Sequence, residues 1–158
     1  MGRRDDQSII DAMATSTNTF VDASPSIATL TKAAELLNKV EAPMSDRFLI
    51  CDEVFLKALL DDTTLTSSDY ATVKALQTGE INTFMGFKFK TIGSARAEGG
   101  LGGNAYAIHK ASVGHAVGID MKTRVDWVPH KASWLSLGMW KAGSVLVDTE
   151  GVVKITVA

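Results

Sequence analysis

Apolar residues recur at helical spacing in the first half of the chain and at alternate positions in the second. Ile9, Ile10 and Met13 mark a helix over residues 3–14, with Asp5 and Asp6 in the first turn, where the helix dipole favours negative charge. Thr19-Phe20-Val21 is a short extended piece. Ser24-Pro25 opens a second helix across 26–41, whose face is Ile27, Leu30, Ala34, Leu37 and Val40, and Ala42-Pro43 ends it. Arg47–Cys51 reads as a buried strand, and Asp52 as the cap of a helix over Glu53–Leu60. Ser67 or Ser68 caps a further helix to about Gln77, stopped by Gly79.

Beyond Gly79 the period changes. Ile81–Phe84 and Gly86–Ile92 read as strands, the latter because Phe87 and Phe89 alternate with Lys88 and Lys90. Gly93–Gly103 holds five glycines, a composition expected of a mobile loop. Tyr106-Ala107-Ile108 is extended, and His109–Val117 is expected to be a short helix weakened by Gly114. Strands are expected over Met121–Val128, Ser133–Met139, Gly143–Val147 and Val152–Val157, the last two joined as a hairpin at Thr149-Glu150-Gly151. Helices leading and strands following favour an α+β class. The first helix is expected to dock on the β-rich tail through Val145, Val147, Val153 and Ile155.

Composition narrows the chemistry only a little. The chain has 158 residues, 46% apolar and 22% charged, enough for a folded core. No apolar run is long enough for a membrane span, and MGRRDDQ lacks the apolar stretch of a secretory signal. The net charge of −2 divides into −5 over residues 1–79 and +3 over 80–158, a polarity suited to contact between copies or simply to solvation. No dense basic cluster marks a nucleic-acid groove.

Cys51, the one cysteine, ends an apolar run and reads as a packing residue. Gly100-Leu101-Gly102-Gly103-Asn104-Ala105 matches the G-x-G-x-x-A dinucleotide turn, but Tyr106-Ala107-Ile108 beyond it is extended where that turn needs a helix. The match supports the alternative of a nucleotide-binding enzyme domain. His109, His115 and His130 lack the spacing and cysteine partners of a metal site. Trp127, Trp134 and Trp140 read as core or interface anchors. No catalytic, cofactor or metal residue is therefore assigned.

Three stretches resemble the major capsid protein of tailed phages. Gly2-Arg3-Arg4-Asp5-Asp6 through Ile9-Ile10-Asp11-Ala12 is similar to the end of that family's spine helix. Asp46–Ile50, Leu59-Leu60-Asp61-Asp62, Ser68-Asp69-Tyr70 and Leu76–Ile81 leading to Gly86-Phe87 resemble its axial-domain core. Ala107–Gly114, Gly143 and Val152–Ile155 resemble its closing segment.

The resemblance implies an α+β capsid-type fold with a helical axial domain over 24–128 and peripheral pieces at 1–23 and 129–158. It implies a structural, non-enzymatic virion protein. Such a protein assembles with itself into pentamers and hexamers of an icosahedral head, within the cytoplasm of a bacterial host. Scaffolding or portal proteins are further partners; specific nucleic-acid recognition and a membrane are not. The family's N-terminal arm and extended loop have no counterpart in this sequence, which is expected to correspond to the C-terminal part of such a protein. Another phage head or tail structural protein is the remaining alternative.

Overall fold

The computed structural model describes residues 2–61, 85–95 and 99–157. The expected helix ending near Gln77 and the expected strand Ile81–Phe84 lie outside these residues. Within them, five strands form a mixed sheet: β1 (Asn18–Asp22), β2 (Arg47–Cys51), β3 (Phe87–Thr91), β4 (Asn104–His109) and β7 (Val152–Val157), in the order β1-β7-β4-β2-β3. β7 pairs in parallel with β1 and antiparallel with β4; β2 pairs antiparallel with β4 and in parallel with β3. The sheet draws strands from all three stretches 1–23, 24–128 and 129–158.

Both faces of this sheet are covered, and alternation along each strand decides which residue serves which face. Leu49, Cys51, Phe87, Ala105, Ala107, Val153 and Ile155 point one way, under α2 (Ile27–Lys39) and α3 (Glu53–Asp61), whose Leu30, Ala33, Leu37, Phe55 and Leu59 complete that core. Tyr106, Ile108 and Val152 point the other way and meet Ile10 and Met13 of α1 (Gly2–Ala14), together with Leu101. A helix of this length is marginal alone in water. Burying Ile10 and Met13 contributes roughly 1.5–3 kcal/mol per side chain, which holds α1 in place.

Local chemistry sets the ends of the elements. The Ser26 amide donates to Thr29 Oγ1 at 2.9 Å, and that hydroxyl donates to Asp22 Oδ2, so the first turn of α2 is tied to the end of β1. Asp52 caps α3 as expected, accepting from the Phe55 amide at 2.8 Å. Arg47 is buried at the start of β2. It donates from Nε to Pro43 O at 2.9 Å and from Nη2 to Asn38 Oδ1 and Ala42 O, spanning the turn that leaves α2. Loss of water around the guanidinium lowers its pKa.

The remaining strands, β5 (Val113–Val128) and β6 (Ser133–Leu146), form a separate two-stranded hairpin. Here three expectations are corrected. His109–Val117 is not helical: a single 3-10 turn at Lys110–Ser112 leads straight into β5, where Gly114 pairs with Val145 and strand pairing overrides local helix propensity. Ser133–Met139 and Gly143–Val147 are not two strands but one continuous β6 to Leu146. Thr149–Gly151 does not close a hairpin, because the strands it joins belong to different sheets.

The docking of α1 is as expected, but its partners are corrected by one position. Leu146 and Val152 face α1; Val145 and Val147 are exposed, and Val153 and Ile155 face α2. A one-residue shift along a strand exchanges its faces.

Candidate assembly surface

The hairpin carries most of the large apolar side chains that lie uncovered among the described residues. Val117, Ile119, Met121, Val125, Trp127, Trp134, Leu135, Leu137, Met139 and Val145 are all exposed, Trp134 at 69% and Trp127 at 49%. The two tryptophans are directly paired across the strands, with ring centroids 5.2 Å apart and planes at 64°, an edge-to-face contact. At the tip, Pro129–Lys131 form a 3-10 turn closed by Ala132 in the left-handed conformation.

Register sorts the outer half of the hairpin into two unlike faces. Directly opposed residues share a face, so Trp127, Trp134, Val125 and Ser136 lie on one side. On the other, Leu135, Leu137 and Met139 of β6 run beside Asp126, Arg124 and Lys122 of β5. Arg124 and Asp126 form an ion pair at 2.8 Å along that row, which fixes the charged edge next to the apolar one. Two irregularities, between Val117 and Ile119 and between Ile119 and Lys122, separate this outer half from the base. Bulges of this kind increase local twist.

The base of the hairpin is held by α1. Ser8 Oγ donates to Ser144 Oγ at 2.8 Å, and Ser144 Oγ lies 2.8 Å from His115 Nδ1. His115 Nε2 faces Asp5 Oδ1 at 3.9 Å. The residues singled out in the sequence are otherwise scattered. His109 ends β4, His115 sits at the hairpin base and His130 at its tip. Cys51 is buried in the sheet; loss of solvent, followed by the charge of Asp52, pushes its thiol up to about 12, so it is a packing residue. Trp140 is half-buried at a position the register skips.

The glycine turn is structural. Gly99 and Gly102-Gly103 have positive φ, and the turn enters β4 rather than a helix, so its amides do not converge at a helix N-terminus. Gly99 donates to Gln7 Oε1 at 2.6 Å, and a Cβ there would stand 2.9 Å from the Arg3 carbonyl oxygen. Leu101 is buried beside Ile10 and Met13. Gly99 and Leu101 of the loop are thus packed on α1, while the Ser94 amide donates to Glu53 Oε2 of α3 at 2.9 Å, and nothing in this geometry supports the nucleotide-binding alternative.

A cleft of about 290 Å³ lined by Thr17, Asn18, Leu36, Lys39, Val40 and Glu150 carries one cation and one acid, without histidine or cysteine. Among the described residues, no group of three histidines, cysteines or acids is placed to hold a metal, and no helix is long and apolar enough to cross a membrane. The composition signal that pointed to the surface was the tryptophan clustering in the β-rich tail. The polar joint at Asp5 and His115 had no sequence signal, because its members are far apart in the chain.

A family model described as phage capsid protein matches residues 1–158. No curated protein matches the chain. Among solved structures, one from Mycobacterium phage Che8 is similar at a TM-score of 0.76 and 17% identity, covering 92% of this chain and 55% of that one. The head structure of Helicobacter pylori bacteriophage KHP40 gives 0.77 at 12% identity, covering 98% and 65%. A virus-like particle from Pyrococcus furiosus gives 0.60 at 14%, covering 97% and 61%. At such identities the likeness is one of fold, and the expected α+β capsid-type fold is the one found. The chain spans between 55% and 65% of the length of these structures.

Proposed function

The chain belongs to the phage capsid protein family, and on that premise we propose that it is a major capsid subunit, or the C-terminal part of one, whose work is self-association into the shell around phage DNA. The observation that carries this reading is the hairpin of β5 and β6. A two-stranded ribbon is marginal by itself. This one displays two tryptophans and a row of leucines to solvent, more apolar surface than an isolated fold has reason to expose. Pentameric and hexameric grouping, assembly in the bacterial cytoplasm, and contact with scaffolding or portal proteins follow from the family on this reading. Catalysis has no part in it.

The division into axial and peripheral regions is then best drawn by layer. The five-stranded sheet with α2 and α3 forms the axial unit; α1 and the hairpin form the peripheral one. The pairing of β7 with β4 within one sheet supports that division over one by consecutive stretches.

Sedimentation over a wide range of protein concentration tests the function. Association that strengthens with concentration, and that Trp134→Ser weakens without loss of secondary structure, is the expected result. A chain that stays monomeric into the millimolar range, with or without Trp134, would overturn the reading.

A further inference from the structure

We propose that the open edge of β6 is a strand-pairing site for a second copy of this chain, the two β6 strands running antiparallel about a two-fold axis to give one sheet in the order β5-β6-β6-β5. This rests on the reading of the chain as a self-associating subunit and names the surface that does it. The two edges of the hairpin are unlike. β5 carries the devices that keep an edge from pairing. Lys122, Arg124 and Asp126 stand along it, the last two tied by their ion pair. Both irregularities are also on β5. It advances two residues from Val117 to Ile119 while β6 advances one, and three from Ile119 to Lys122 while β6 advances two.

The outer part of β6 has none of these devices. From Ser133 to Trp140 it runs without a charged residue, a proline or an extra residue against β5. Ser133–Met139 are all exposed, and among the described residues β5 is the one strand paired with β6. Every second residue of the stretch therefore turns its N–H and C=O away from β5, as a template for a further strand.

Charge and face pattern make a second copy the fitting occupant. Identical antiparallel strands are related by a two-fold axis, so one contact satisfies both edges and closes on itself. Directly opposed residues share a face, so the axis passes through a residue. Centred on Leu137, the pairing sets Leu135 against Met139 and Trp134 against Trp140, and no two charges meet. Centred on Ser136, it would carry Lys141 toward Lys131 of the second copy, which disfavours that register. With Leu137 at the centre, the rows of Leu135, Leu137 and Met139 from the two copies lie side by side. The rows of Lys122, Arg124 and Asp126 flank them on either side, an apolar middle with a charged rim. A two-stranded ribbon is marginal, whereas a sheet of twice the width with an apolar face sustains itself.

A charge exchange at Leu137 tests the pairing, because like charges there meet across the axis. Leu137→Lys and Leu137→Glu are each expected to weaken association about tenfold or more in sedimentation equilibrium. An equimolar mixture of the two is expected to associate within about threefold of wild type. Leu137 is 46% exposed, so both variants keep the fold, which circular dichroism checks. Val125→Lys puts the same charge on the guarded strand and is expected to change association less than about twofold. Hydrogen exchange gives a readout that needs no variant. Between dilute and concentrated wild type, alternate amides from Ser133 to Trp140 are expected to slow, while the solvent-facing amides of β5 do not. Three results would each overturn the pairing and leave self-association through another surface standing: Leu137 variants that associate as wild type does, a mixture no tighter than either variant alone, or β6 amides indifferent to association. Wild type that stays monomeric at every concentration would overturn both the pairing and the reading beneath it.

Discussion

The five-stranded sheet and the two-stranded hairpin are built from similar residues, yet one is covered on both faces and the other on almost none. In the sheet, Val153 and Ile155 go under α2 and Val152 goes under α1, so every apolar side of β7 has a neighbour within the chain. In the outer hairpin, Leu135 and Leu137 have as cross-strand neighbours only Asp126 and Arg124. The difference shows that alternation reports a strand with two chemically distinct faces, not which of them will be buried or by what. The sheet is stabilised from inside the chain; the hairpin offers the same kind of surface outward.

The largest expected effect strikes the seam between the two regions. Ile10→Asp places a carboxylate among Met13, Leu101, Tyr106 and Val152, with an expected loss of about 3–5 kcal/mol in denaturant unfolding. Hydrogen exchange should show α1 and the hairpin base loosening together. An unchanged melting temperature would mean that α1 is not docked.

Next in size is a matched pair of deletions. Leu37→Ala, in the covered core, is expected to lose about 2–5 kcal/mol, whereas Leu137→Ala, on the open hairpin, should stay within about 0.5 kcal/mol in the monomer. Equal losses would erase the contrast between the regions.

A smaller effect is expected at the α3 cap, where Asp52→Ala removes the bond to the Phe55 amide and should cost about 1 kcal/mol by the same measurement. Finally, Cys51 links the comparison to pH. Its folded-state thiol is pushed up to about 12, above the ordinary value of 9.0, so its contribution is complete below about pH 9 and fades as pH climbs toward 12. Wild type should therefore lose more stability than Cys51→Ala over that interval. At pH 8 a thiol reagent should label Cys51 only after unfolding.

Much of the sheet was legible because its strands are short, alternate cleanly and are bounded by turn residues, as at Arg47–Cys51. The caps were equally plain where one side chain acts on its own turn, as Asp52 does. The hairpin was harder. Gly114, Gly118, Gly138 and Gly143 interrupt β5 and β6, and strands exposed on both faces have no apolar rhythm to keep. Propensity near Ala111 then favoured a helix that strand pairing overrode. Proximity in sequence also misled at Thr149–Gly151, where the chain passes from one sheet to the other. The tryptophans at the candidate surface could be picked out, but not their pairing, since register depends on irregularities invisible in composition.

The central position of β7 bears on how this chain is made. β7 sits between β1 and β4, with Val153 beside Asn18, although the ribosome adds it after every other strand of the sheet. Until it emerges, β1 has no neighbour to pair with and β4 keeps one edge open. The covered core therefore cannot close before β7 is made, and contacts so distant along the chain are slow to find. During that interval the hairpin strands are already complete, so a crowded polysome presents their apolar rows to nascent neighbours before any subunit has finished folding.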